Sequence, residues 1–179
     1  MDRRRVGTSL YAGFLFGVLG FVAWISGQPF IFPSLGPSAF VLAFERHGGR
    51  NRTYRMVGAH LVGGVAGLLA HELLAPGVAF AAASPDLSAE GLRLAASGVL
   101  SLVLTSWGMI ATDMKHPPAC ATTLIVSLGL LSEPVEVAII VASTAILVET
   151  HTNVLRLFER VVGGLSRPTT AGEEAESTE

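Results

Sequence analysis

Apolar residues run through this chain in long blocks separated by short polar or proline-rich breaks. Four blocks are close to the roughly 20 residues needed to cross hydrocarbon. They predict membrane-spanning helices over about 10–26, 56–74, 92–112 and 135–148, the last continuing as a more polar helix to 158. Two further stretches, 30–44 and 119–131, are apolar but broken. Pro29, Pro33, Gly36 and Pro37 interrupt the first, and Lys115-His116-Pro117-Pro118 precedes the second. Consecutive prolines do not fit a helix interior, because each lacks an amide donor and forces its predecessor out of the α region. At a helix start the missing donor costs nothing. Both stretches therefore predict half-helical segments that begin at a proline break.

The pattern defines an all-α transmembrane fold of four spanning helices plus two proline-broken half-helical segments. We expect one transmembrane domain over 1–167, with repeat halves at about 8–75 and 92–158, and a disordered acidic tail at 168–179. Half of the residues are hydrophobic and only 15% are charged, against about a quarter in an ordinary soluble domain. Basic residues gather at Arg3–Arg5, from Arg46 to Arg55, at Lys115 and from Arg156 to Arg160, whereas the 76–91 loop has none. The positive-inside rule then places both termini in the cytoplasm, of a cell (inner) membrane, and the 76–91 loop outside. Each half reads helix, broken segment, helix, and the halves run in opposite directions. That is the layout of an inverted repeat. Gly36-Pro37-Ser38-Ala39 and His116-Pro117-Pro118-Ala119 echo one another at equivalent places.

The run Lys115-His116-Pro117-Pro118-Ala119-Cys120-Ala121-Thr122-Thr123 resembles the signature of the HPP family of small integral membrane proteins. Pro33-Ser34-Leu35-Gly36-Pro37-Ser38-Ala39 and Val57-Gly58-Ala59-His60-Leu61 match further. The resemblance implies four transmembrane helices and, since some members are linked to nitrite transport, a transport role. Cys120 departs from the glycine the family more often carries there.

Helix N-termini offer amide donors and a partial positive charge, which suits a small inorganic anion that must bind and also leave. Two such starts, at Gly36-Pro37 and His116-Pro117-Pro118, build an anion site if they face one another. Ser34, Ser38, Thr122 and Thr123 add hydroxyl donors, and Lys115 draws anions to the mouth or anchors the boundary by snorkelling. His116 changes charge near neutral pH and is a proton-coupling candidate. Glu149 is the second: with Asn153 it shares a helix face able to point into the bundle, or it pairs with Arg156. For His60, a packing role is expected. The small-residue faces Gly13/Gly17, Gly63/Gly67 and Ala142/Ser143/Ala145 are expected to pack the subunit.

No trusted metal-ligand spacing, phosphate-binding loop or nucleophile motif occurs, so neither an enzyme nor a cofactor or metal is expected. The expected partners are the lipid bilayer, a small anion and further copies of the chain, and no nucleic acid. The alternative function is a membrane-embedded binding or regulatory subunit that transports nothing.

Overall fold

The computed structural model describes residues 3–44, 50–82 and 87–165. The acidic tail, Arg46 and Asp86 lie outside these residues. Six helices follow one another: α1 (Arg3–Ser26), α2 (Leu35–Phe44), α3 (Arg50–Leu74), α4 (Ala89–Ala111), α5 (Ala119–Ser127) and α6 (Pro134–Leu165), with no strand among the described residues. Four of them, α1, α3, α4 and α6, are long and apolar enough to cross a membrane. At 1.5 Å per residue, α2 and α5 reach only about 15 Å, half of a bilayer core. The long helices extend beyond the predicted spans. Arginine-bearing turns precede the apolar parts of α1 and α3, and α6 runs unbroken through the polar turn at 149–153.

The breaks behave as the prolines dictate. Pro134 occupies the first position of α6, where its missing donor is harmless. Pro118 caps α5, and Pro33 lies in the turn before α2. Gly129, at φ +69, turns the chain after α5, and a Cβ there would meet the Val78 carbonyl oxygen. The positive φ and the crowding both select glycine.

Packing repeats between the halves. α1 lies on α2, and α4 lies on α5. The first helix of each half packs against the third helix of the other, α1 on α6 and α4 on α3. Each short helix does the same, α2 on α6 and α5 on α3, and α3 contacts α6 at the centre. Exchanging the halves leaves this set of contacts unchanged. Leu15, Leu19, Leu35, Leu42, Ile140 and Leu147 fill the core between α1, α2 and α6.

The α3–α5 interface is tighter. Ideal Cβ atoms at Gly63 would lie 2.9 Å from the Ala119 carbonyl oxygen, and at Gly67 2.9 Å from that of Thr123. The glycines thus let two backbones touch, as the small-residue face predicts. The corresponding expectation for α1 is corrected. Gly13 and Gly17 have nothing within 4 Å of a Cβ, because their side of α1 is turned away from the subunit. Ala142 is likewise exposed on α6.

Candidate functional site

The first turns of α2 and α5 meet. Ser38 stands at the fourth position of α2, and its hydroxyl lies 2.9 Å from His116 Nε2, just ahead of α5. The same hydroxyl lies 3.1 Å from His60 Nε2, on α3, and 3.3 Å from the Ser34 carbonyl oxygen. His60 Nδ1 is 2.7 Å from the Thr122 hydroxyl, at the fourth position of α5. Ser34, Ser38, His60 and Thr122 are wholly buried, and His116 is 5% exposed. His60 and His116 face one another across Ser38, with ring centroids 5.6 Å apart.

A proton inventory constrains this cluster. Ser38 has one hydroxyl proton, and the Ser34 carbonyl only accepts. For both imidazole contacts to be hydrogen bonds, at least one Nε2 must donate to Ser38. With His60 neutral and protonated at Nε2, its Nδ1 accepts from Thr122. The Ser38 hydroxyl, accepting from His60 Nε2, is then free to donate to His116 Nε2. Ser34 Oγ has no hydrogen-bond partner among the described residues. An unsatisfied buried hydroxyl costs about 1–3 kcal/mol, which a bound polar solute would recover.

Polar contacts continue along α5. Thr123 Oγ1 lies 2.9 Å from Thr105 Oγ1 on α4 and donates to the Ala119 carbonyl. The Ser97 hydroxyl donates to the Ser127 carbonyl at 2.9 Å, and His71 Nδ1 lies 3.3 Å from that same oxygen. Ser101 is wholly buried between Ser97 and Thr105 on the same α4 face. Buried polar side chains therefore recur from His116 to His71 where α3, α4 and α5 meet, a seam of three separately bonded sets. Its side chains bond mostly to one another and to helix carbonyls, so in this state it is closed.

At the His116 end the seam is bordered by an open pocket of about 230 Å³, lined by Ser106, Met109, Ile110, Lys115, Pro117 and Cys120 as well as His116. His116 is thus the wall between the pocket and the buried cluster. Lys115 is exposed at the pocket mouth and lies 3.5 Å from Asp113, which also pairs with Arg55 at 2.7 Å. The Arg55 guanidinium, and after it Lys115, hold the Asp113 carboxyl below the usual carboxylate range. A depressed pKa means that this contribution to stability is present above the unfolded carboxyl range. It is lost as pH falls below about 4. Asp113→Asn, which tolerates the left-handed backbone at φ 53, is therefore expected to flatten the acid limb of thermal stability. Unfolding midpoints between pH 6 and 3 check this, and an unchanged acid limb rejects it. The pair is exposed and screened, so the effect should shrink in high salt.

The sequence model described as HPP, transmembrane region, matches residues 3–159. The chain belongs to the HPP family. No curated protein and no solved structure matches it.

Of the residues expected at the site of this HPP protein, Ser38 and His116 touch directly, Thr122 joins them through His60, and Ser34 and Thr123 adjoin them. Pro118 is half-buried at the α5 cap. Gly36, Pro37 and Pro117 shape the breaks without reaching the cluster: Pro37 and Pro117 are exposed, and a Cβ on Gly36 would meet nothing. The amide donors at the start of α5 are already used. Those of Ala119, Cys120 and Ala121 bond the carbonyls of His116, Pro117 and Pro118 at 3.0–3.1 Å. The available donors are side chains instead. Glu149 is exposed, points away from the seam, and has no ion pair with Arg156 among the described residues. The expectation of an inward face fails because α6 turns His151, Val148 and Ser143 inward in its place.

Sequence reasoning gave His60 a packing role and passed over Thr105, Ser97, Ser101 and His71. The signal was present as spacing. Ser97, Ser101 and Thr105 recur every four residues, and His60, Gly63, Gly67 and His71 share one face of α3.

Proposed function

We propose that this HPP protein moves a small anion across the membrane along the α3–α4–α5 seam, with nitrite the first candidate. The observation that carries the reading is the buried polar seam itself. Titratable groups buried inside a membrane bundle, here His60, His71 and His116, are expensive and mark solute or proton pathways. The choice of an anion rests on the imidazole and hydroxyl donors that converge where the α2 and α5 starts meet, at Ser38, His60 and His116. Lys115 adds a cation at the mouth.

In this reading the basic end faces the cytoplasm. An anion that enters past Lys115 and the otherwise apolar wall of the 230 Å³ pocket meets His116, exchanges its water for the imidazole and hydroxyl donors of His116, Ser38 and His60, and passes Thr122 and Thr105 toward His71. The closed seam opens by α5 shifting between its hinges, the Pro117-Pro118 break and Gly129. A proton held on the His60–Ser38–His116 cluster would offset the anion's charge in the low-dielectric interior. The anion and the proton then move together without net charge. The residues serve anion and proton binding, and we assign no catalysis.

Reconstitution in liposomes tests this. Nitrite uptake should saturate, exceed that of empty liposomes at least tenfold, and rise when the side of higher nitrite is made acidic. Formate, chloride and nitrate in the same assay define the selectivity. Equal leakage with and without protein for every anion would reject transport and favour the membrane-embedded binding subunit.

A further inference from the structure

The break between α4 and α5 carries a residue that its local position does not favour. α4 ends in a Schellman turn, in which the Met114 amide donates to the Met109 carbonyl at 3.0 Å and the Asp113 amide to that of Ile110 at 3.3 Å. Asp113 holds the left-handed position of this turn, at φ 53, and is the only non-glycine residue with positive φ among the described residues. Glycine is the usual occupant there, and asparagine the next. A carboxylate in this place also meets the negative end of the α4 dipole. Helix termination therefore does not account for an aspartate.

What the carboxylate gains is reach. Its Oδ2 accepts from Arg55 Nη2 of α3 at 2.7 Å, and its Oδ1 lies 3.5 Å from Lys115 Nζ. Arg55, Asp113 and Lys115 keep 41%, 63% and 66% of their side-chain surface exposed, and ion pairs so exposed add little to folding. Their larger effect falls on the neighbouring pocket. Of the residues that line it, Lys115 is the one with a permanent charge, and Asp113 stands just outside the lining.

We propose that Asp113 is the internal counter-ion of the anion entry. Its carboxylate offsets the charge of Arg55 and Lys115 and so limits how strongly the pocket attracts a solute anion. With Asp113 the three groups carry one net positive charge, and without it two. Two unopposed cations at the mouth would hold an anion that must also leave. The proposal rests on the anion reading above and adds the residue that sets the affinity of its entry site.

Cys120, the only cysteine of the chain, lines the pocket and reports its potential. The purified protein is labelled with a negatively and a positively charged methanethiosulfonate, and the two rates are taken as a ratio, in which the thiol's own reactivity cancels. In water, one unit charge at about 8 Å changes the local concentration of a monovalent ion roughly two- to threefold at low salt. Asp113→Asn keeps the side-chain shape and tolerates the left-handed backbone. It should therefore shift the ratio toward the anionic reagent by about fivefold, and about 1 M salt should abolish the shift. Glu149→Gln removes the same charge from α6, which lends the pocket no residue, and should leave the ratio unchanged. Ser106→Cys in a Cys120→Ser background gives a second reporter on the same wall. A ratio that Asp113→Asn leaves unmoved at both positions, or that Glu149→Gln shifts as much, would overturn the proposal. In liposomes, Asp113→Asn should lower the KM for nitrite by roughly two- to threefold, and Lys115→Gln should raise it. A parent protein that moves no nitrite would reject the transport reading, and the labelling ratio would still decide the role of Asp113. Uptake with a KM that Asp113→Asn leaves unchanged would reject the counter-ion alone.

Discussion

Replacing His60 with alanine is expected to lower anion uptake at least tenfold, as much as replacing His116. Both imidazoles bond the same Ser38 hydroxyl, at 3.1 and 2.9 Å, and His60 also holds Thr122 at 2.7 Å. Removing His60 leaves the Thr122 hydroxyl unsatisfied, a cost of about 1–3 kcal/mol, and removing either ring opens a gap where donors should converge on the solute. Each 1.4 kcal/mol is about a factor of ten. Initial uptake rates into liposomes carrying equal amounts of folded protein provide the measurement. Rates within twofold of the parent for both variants would remove the cluster from the pathway. Glutamine at 116 separates two roles, because its amide donates a hydrogen bond but neither takes up nor releases a proton near neutral pH. His116→Gln should keep part of the uptake and lose its acceleration by an acidic donor side. If the acceleration persists, the proton travels elsewhere.

The largest effect on stability is expected where α3 and α5 touch. A Cβ on Gly63 would stand 2.7 Å from Thr123 Oγ1 and 2.9 Å from the Ala119 carbonyl oxygen. On Gly67 it would stand 2.8 Å from Val126 Cβ and 2.9 Å from the Thr123 carbonyl oxygen. Backbone on the opposite side cannot give way as a flexible side chain does, so α5 must move as a unit. Gly63→Ala should therefore destabilise by about 1–3 kcal/mol, and Gly67→Val by more. Gly13→Ala and Gly17→Ala, with open space around them, should be neutral or gain up to about 1 kcal/mol from helix propensity. Thermal midpoints in detergent rank the four variants. Equal shifts at positions 17 and 63 would show that α3 and α5 are not in close contact. Since Thr123 and Ala119 border the seam, the Gly63 variant should slow uptake as well.

The proline breaks carried much of the site's location, for a local reason. A proline fixes its own φ and restricts its predecessor whatever surrounds it, so the starts of α2 and α5 could be read along the chain. Histidine offers no such signal. His60 lies in an apolar helix where packing and hydrogen bonding look alike in one dimension, and only the arrival of Ser38 from α2 and Thr122 from α5 separates them. Glu149 shows the opposite failure. Its helical spacing to Asn153 correctly placed both on one face, but spacing does not say which face turns inward. Burial of His151 against Tyr11 decided that, and left Glu149 outside.

The features set by local chemistry were legible along the chain: four helices long enough for a bilayer, two short ones begun at prolines, and membership of the HPP family. Apolar length and missing amide donors act residue by residue and need no partner. The tertiary structure decided which polar groups meet. It joined Ser38, His60, His116 and Thr122 from four separate segments and aligned Thr105, Ser97 and His71 behind them. It also spent the α5 amides on the preceding turn, so that side chains became the donors. The physical reason is that hydrogen bonds and close packing act over a few ångströms in space, and contacts between distant segments exist only once the helices have chosen their neighbours.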